Sequence, residues 1–353
     1  MKTLKDFNVS GKRALVRCDF NVPLSKKGPA CAGKEILDDF RIKKSLPTIR
    51  YLMEKRAKLI LMSHLGRPEG RVADELKMDP VQVRLTEYLD VSVTKAPDCL
   101  GEEIERWTQK MMPGEILILE NLRFHKEEEE NDPGFSEKLA KLGDVYVNDA
   151  FGASHRVHAS IVGVPKLLPS CAGLLLEREI KVLSDLLENP QKPLVAIIGG
   201  KKVETKIKAI NKISESADTV LVGGLIKKEL EEKGIRLENP EKIIGPVNNL
   251  EGKDIGPETV RLFKEKIAGA KTVFWSGPLG KIEEEEFCKG SKEIARAVIE
   301  SCAFSIAGGG ETVEFINRIG LGEKFGHLST GGGAMLEFLS GDELPGIKAL
   351  EQI

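Results

Sequence analysis

The sequence predicts an α/β protein of two lobes, each a parallel sheet covered by helices in a Rossmann-like three-layer arrangement, joined by a connecting helix. Three observations predict it. Short apolar runs alternate with helix-length amphipathic stretches from end to end, the signature of βαβ units. The 353 residues suffice for two domains of roughly 100–200 residues, each with its own core. An amphipathic segment closed by two prolines divides the chain near its middle.

In the first half the expected strands are RALVRC (13–18), KLILMS (58–63), EILILE (115–120) and DVYVND (144–149). In the second half they are PLVAIIGG (193–200), TVLVGG (219–224), KTVFWSG (271–277) and FSIAGGG (304–310). Between the halves, Ile180, Leu183 and Leu187 follow helical spacing, and Pro190 and Pro193 end the segment. The expected division is an N-terminal domain (1–172), a connecting helix (173–190) and a C-terminal domain (191–340). The tail (341–353) can fold back on either half; the division sets it against the N-terminal one.

Composition narrows the function. Hydrophobic residues make up 41% and charged residues 31%, an ordinary globular balance. The formal net charge of −2 points to neither nucleic acid nor an anionic membrane, so any anion site is local. No run approaches the roughly 18 apolar residues of a membrane span, and the polar N-terminus does not read as a signal peptide. The six cysteines (18, 31, 99, 171, 288, 302) form no C-x-x-C pair, which suits free thiols in a reducing cytoplasm. Cys18 reads as a small core residue rather than a nucleophile.

Ligands of open parallel sheets collect beyond the carboxyl ends of the strands. In the first half those ends carry Asp19 and Asn21, then His64 and Arg67, then Asn121 and Arg123, then Asp149, His155, Arg156 and His158. Arg41 opens a helix after the first loop. One such arginine reads as a helix cap or a surface ion pair. Four strand ends sharing the pattern imply a small, strongly anionic, hydroxylated ligand gripped by guanidinium forks. His125 and His158 read as structural, and HKEEEEND (125–132) as a solvated helix start.

In the second half the strand ends are glycine-rich: Gly199–Gly200, Gly223–Gly224, Gly277 with Gly280, Gly308, Gly309 and Gly310, and then Gly331, Gly332 and Gly333. Glycine lets backbone N–H groups approach phosphate, and a following helix N-terminus adds a favourable field. The pattern points to a nucleotide, although neither a P-loop nor a G-x-G-x-x-G turn occurs. Val203, Ile207, Ile210 and Ile213 predict a helix directly after Gly200, with Lys202 and Lys206 spaced i, i+4 beside a polyphosphate. Lys208 and Lys212 read as solvated.

Taken together, RCDFNVP, LMSHLGRP, ENLRFH, DAFGASHRVHAS, GGKKVETK, SGPLGKIE, GGGET and STGGGAMLE resemble the phosphoglycerate kinase family, in that family's order from about residue 13 to the tail. The resemblance implies reversible phosphoryl transfer from 1,3-bisphosphoglycerate to ADP, giving 3-phosphoglycerate and ATP with Mg²⁺, by a cytoplasmic, monomeric, hinge-bending enzyme. It implies that Asp19, Asn21, Arg41, His64, Arg67, Arg123 and Arg156 bind 3-phosphoglycerate. Gly199, Gly200, Lys202, Lys206, Gly223, Ser276, Glu283, Gly308, Gly309, Gly310 and Thr312 would bind nucleotide, and Glu311 the metal through Mg-nucleotide. Arg41, Lys206 and the N–H groups of Gly332 and Gly333 would stabilise the group in flight.

Three departures from the family pattern stand out. Ser276 replaces a usual Asn, and Glu311 a usual Asp. Residues 235–250 are too few for the family's usual further helix and strand, so the C-terminal sheet is expected to lack a strand. These departures motivate an alternative: a catalytically degenerate relative that binds nucleotide or acid as a sensor.

Overall fold

The computed structural model describes residues 1–25, 34–250 and 252–351; Cys31 lies outside them. Close contacts divide the chain into two units, Met1–Glu179 together with the tail from Glu343, and Ile180–Asp342.

The first unit runs β1 (Arg13–Cys18), α1 (Phe40–Glu54), β2 (Lys58–Met62), α2 (Asp79–Leu89), β3 (Val93–Lys95), α3 (Glu102–Lys110), β4 (Ile116–Ile118), α4 (Lys126–Glu129), α5 (Pro133–Ala140), β5 (Val145–Asp149) and β6 (Ser170–Ala172). Its six strands lie in the order β3-β4-β2-β1-β5-β6, every pair parallel. The strands are apolar and buried along nearly their whole length, as a parallel sheet covered by helices requires. Leu46, Ile49 and Leu52 of α1 share one core with Val16, Leu59 and Leu61 of the sheet.

The helix α6 (Leu174–Glu188) follows, and the boundary between the units falls inside it. The second unit runs β7 (Leu194–Ile198), α7 (Ile207–Ser216), β8 (Thr219–Val222), α8 (Gly224–Glu232), β9 (Ile243–Ile244), β10 (Asn249–Leu250), β11 (Asp254–Ile255), α9 (Pro257–Ala268), β12 (Thr272–Ser276), α10 (Lys289–Glu300), β13 (Phe304–Gly308), α11 (Gly310–Arg318), β14 (His327–Leu328) and α12 (Gly332–Leu339). Its main sheet has the order β14-β13-β12-β7-β8-β9, again all parallel. The tail forms α13 (Pro345–Lys348) and returns to the first unit, where the Gly346 N–H donates to the Ser154 carbonyl at 2.8 Å.

The expected loss of a strand from the second sheet does not occur. The shortened segment still supplies β9, two residues long, beside β8. Among the described residues it holds no α-helix, only a 3-10 turn at Pro240–Lys242. A two-residue edge strand needs little chain, so the segment shortens without opening the sheet.

Both sheets reverse direction at their middle. The chain leaves β1 towards β2 on one side and returns to β5 on the other; β7 likewise lies between β8 and β12. The carboxyl ends at these reversals are crevices that no crossover helix covers.

Candidate active site

In the first unit the crevice between β1 and β5 is basic. Asp19, nearly buried, follows β1 and accepts from Arg41 Nη1 at 2.8 Å. It also accepts from the Asn21 N–H at 3.1 Å. Asn21 Oδ1 in turn accepts from the Gly66 N–H at 2.9 Å, tying the first two strand ends together. Beyond β2, His64 is buried and its Nδ1 lies 3.2 Å from Arg17 Nη2. Burial, and then the charges of Arg17, Arg123, Arg156 and Arg41, hold its pKa well below the imidazole range, so His64 is neutral. One imidazole therefore feels four guanidinium groups drawn from β1, the start of α1, the turn after β4 and the loop after β5.

Arg123 is almost fully buried. Its Nη1 donates to the Gly66 carbonyl at 2.9 Å, and its Nε lies 3.3 Å from Glu129 without hydrogen-bond alignment. Nε and Nη2 have no hydrogen-bond partner. Burial and neighbouring Arg156 lower its pKa to about 10. Nδ1 of His155 and of His158 are likewise buried without a hydrogen-bond partner, that of His158 lying 3.9 Å from Glu128 Oε1. Buried polar nitrogens left unpaired are costly, and several together mark a place where a ligand supplies the partners. Arg156 is half-buried and Arg67 exposed, and neither has a carboxylate partner among the described residues. Arg67 shares the turn after β2 with His64.

Two residues of this site escaped the sequence reading. Arg17 is completely buried in β1, donating to Ser160 Oγ at 2.8 Å and to the Cys18 carbonyl. An arginine inside an otherwise apolar strand was the available signal. Glu128, expected in a solvated helix start, is completely buried: Oε2 accepts the Ser160 N–H at 2.9 Å and Oε1 the Ser160 hydroxyl. Oε1 also lies 4.0 Å from Arg17. One turn of α4 packs inward against the loop after β5, so three carboxylates face out and one faces in. Glu128→Ala strands Arg17 in the interior without a counter-charge and is expected to lower stability by roughly 3–5 kcal/mol, read as a shifted urea midpoint. The bland expectation for Cys18 fits its position, fully buried with its thiol pKa raised by desolvation.

In the second unit the crevice between β7 and β12 is lined by backbone. The Gly199 N–H donates to the Ser276 carbonyl at 2.8 Å, and Gly200 to Pro278 at 2.7 Å. A Cβ on Gly199 would lie 2.2 Å from the Pro278 carbonyl oxygen, and one on Gly277 would lie 2.2 Å from that of Gly199. Only glycine permits this approach. Gly223 caps α8 and packs on Gly199.

The helix expected directly after Gly200 starts later. Lys202 adopts a left-handed backbone (φ 62°), Val203–Thr205 form a 3-10 turn, and α7 begins at Ile207. Lys202 and Lys206 therefore do not share a helical face. Lys202 is exposed, whereas Lys206 is 7% exposed at the helix cap. Its Nζ donates to the carbonyls of Gly199 and Lys201, the latter at 3.0 Å. Burial lowers its pKa to about 8, against the opposing pull of Glu311 and Glu229. Lys208 and Lys212 lie on the surface in ion pairs.

Buried Thr312 accepts the Gly277 N–H at 2.8 Å, and buried Ser276 ends β12 beside it. Gly309 (φ 94°) caps α11, and a Cβ on Gly332 would lie 3.6 Å from the Gly310 nitrogen. The N-termini of α11 and α12 thus open side by side, a doubled anion niche. Gly308 packs closely against Met335, where a Cβ would clash. Gly333 is exposed in the first turn of α12. A cavity of about 210 Å³ is lined by Gly200, Gly223, Asn249, Lys253, Glu283 and Glu311, among others. Lys201 lines it and Lys202 does not. Its far wall includes Asn249 and Asp254 of the hairpin β10–β11, which the sequence reading did not anticipate.

Comparison with known proteins gives this arrangement its family. The model for phosphoglycerate kinase matches residues 4–237 and 226–342. The chain belongs to the phosphoglycerate kinase family. It is 44% identical to the phosphoglycerate kinase of Moorella thermoacetica, covering 99% of each chain, and 44% identical to that of Dictyoglomus turgidum, covering 99% and 98%. Among solved structures it resembles the phosphoglycerate kinase of Pyrococcus horikoshii (TM-score 0.86, 32% identity) and that of Coxiella burnetii (TM-score 0.81, 34% identity), each over 99% of this chain and 98% of the other. Kinases of this family are phosphotransferases, and this chain is one. The first alignment spans 395 positions against 353 residues, so that relative carries segments this chain lacks. The two matched ranges overlap at 226–237, at the edge of the shortened segment.

Proposed function

We propose that the first unit binds 3-phosphoglycerate and 1,3-bisphosphoglycerate, that the second binds ADP and ATP, and that phosphate passes directly between them. The observation that carries this reading is the set of buried, unpaired nitrogens on Arg123, His155 and His158 within a ring of four arginines. A phosphorylated hydroxy acid supplies acceptors for the Arg123 donors and polar groups for the imidazoles, with Asp19 and Asn21 available to its hydroxyl. Arg67, exposed on the same turn as His64, adds a further guanidinium to the ligand.

The acceptor is a substrate carboxylate, already ionised at pH 7, so no general base is needed. Transfer then depends on in-line placement and dispersed positive charge. Arg41 stabilises the group from the acid side. Lys206 and the N–H groups of Gly332 and Gly333 do so from the nucleotide side. Gly199, Gly200, Gly223, Ser276, Gly308–Gly310 and Thr312 shape the nucleotide seat, with Lys202 reaching it from the surface. Mg²⁺ fits the cavity, since it takes one or two carboxylates and completes its shell with phosphate and water, and Glu311 and Glu283 both line the wall. When bound it would offset phosphate charge. Direct transfer requires closure about α6, which also excludes water. The proposed protein is monomeric and cytoplasmic and requires neither membrane nor nucleic acid.

The test is ATP consumption that requires both Mg²⁺ and 3-phosphoglycerate. Nucleotide binding without turnover would select the sensor reading instead, which full-length similarity to named kinases does not favour. Acids lacking the phosphate should not serve as acceptors.

Lys206 adds a pH signature. Its pKa is about 8 without ligand, and a polyphosphate beside it favours the charged form and raises that value. Nucleotide binding at pH 8–9 should therefore take up a proton, seen calorimetrically as a binding enthalpy that varies with buffer ionisation. Affinity should fall as pH rises through 8. Equal enthalpies in buffers of different ionisation heat would remove Lys206 from the phosphate site.

A further inference from the structure

Asp98, Cys99 and His125 lie apart from the proposed chemistry, at the outer end of the first sheet. Asp98 and Cys99 follow edge strand β3, and His125 caps α4, two residues after Arg123. Among the described residues this is the one group of three or more His, Cys, Asp or Glu side chains whose ligand atoms gather closely enough for a metal, all within 4.8 Å of one another. We propose that the Asp98 carboxylate, the Cys99 thiolate and the His125 imidazole form a site for a zinc-class divalent transition metal, with water in the fourth position.

The geometry is close to what such an ion asks. Zinc bonds of about 2.0–2.3 Å to oxygen, nitrogen and sulfur set neighbouring ligand atoms about 3.3–3.8 Å apart. Asp98 Oδ1 lies 2.7 Å from His125 Nε2, a hydrogen-bond distance that opens slightly when an ion takes the place of the proton. The Cys99 N–H donates to the same oxygen at 2.6 Å, which fixes the position of the carboxylate. The His125 ring rests against Phe135 at 5.5 Å, fixing its orientation. Cys99 is completely buried, whereas about half of the Asp98 side chain is exposed, so an ion enters from the Asp98 side and keeps water there.

The donor set selects the metal. A thiolate and an imidazole favour zinc and its neighbours over Mg²⁺ or Ca²⁺, which need oxygen. The site therefore does not compete with Mg-nucleotide and does not depend on the phosphotransferase reading. Burial holds the Cys99 thiol well above its ordinary pKa, and Asp98 raises that of His125. Metal entry sends the thiol proton, and the imidazolium proton where present, to the buffer, so affinity rises with pH.

The experiment is a Co²⁺ titration of the full chain under a metal-free reductant. The expected result is a near-ultraviolet thiolate-to-cobalt band and the visible bands of a four-coordinate ion, saturating at about one equivalent. Cys99→Ser should abolish the near-ultraviolet band. His125→Gln should weaken binding at least about tenfold. Cys302→Ser and Cys31→Ser should leave the spectrum unchanged. Should Cys99→Ser fail to unfold cooperatively, His125→Gln decides, because His125 is partly exposed. Absence of the band in the unaltered chain, or a band that survives His125→Gln at undiminished affinity, overturns the site.

Discussion

Arg41→Ala is expected to lower turnover by about 10³–10⁵-fold, the range over which a guanidinium aimed at a transferring phosphoryl group acts. The side chain is 28% exposed, and its ion pair is with Asp19. Truncation therefore leaves no cavity in the core but strips the Asp19 carboxylate, only 4% exposed, of its ion-pair partner. Cooperative unfolding should persist with a lowered midpoint, and turnover is compared under conditions where the variant is fully folded. Steady-state kinetics should place the loss in kcat rather than in the KM for either substrate, because Arg41 is assigned to the transition state. A variant retaining near-normal kcat would move Arg41 out of the chemistry and leave it as a partner of Asp19.

Lys206→Ala is expected to lower turnover by about 10³-fold or more, for the same reason on the nucleotide side. Stability should change little or rise. Burial lowers the pKa of Lys206 from 10.5 to about 8, so below pH 8 the fold carries the cost of a charge removed from water. An unfolded chain binds more protons than the folded one between about pH 8 and 10.5, so stability from this group rises with pH across that window. The alanine variant should lose that slope. Activity assays and urea unfolding at pH 7 and pH 9.5 read both effects. A folded variant with normal turnover would leave Lys206 as a cap of α7 that satisfies the carbonyls of Gly199 and Lys201.

Both predictions use residues whose types were visible in the sequence, yet their surroundings were not. Arg41, His64, Arg123 and Arg156 were legible because each follows a strand or opens a helix at the carboxyl edge of a parallel sheet. Arg17 and Glu128 were not, because a lone charge in a strand and one Glu among four reveal their burial only through partners such as Ser160, 143 and 32 residues away in sequence. The lysines show the opposite failure. Apolar spacing suggested one helix through Lys202 and Lys206, but close packing of Gly199 and Gly200 against Gly277 and Pro278 leads into a left-handed Lys202 and a 3-10 turn.

The sequence by itself determined the central four strands of each sheet and the connecting helix, because each carries a continuous apolar run or a helical period long enough to read. It did not reveal the edge strands β3, β6, β9 and β14, which are two or three residues long and carry no pattern of their own. Those exist because a neighbouring strand offers unpaired N–H and C=O groups. Tertiary structure likewise decided which cations are buried, which carboxylate turns inward and where α7 begins. Each is settled by what lies across the crevice, and a single chain read in order cannot see across it.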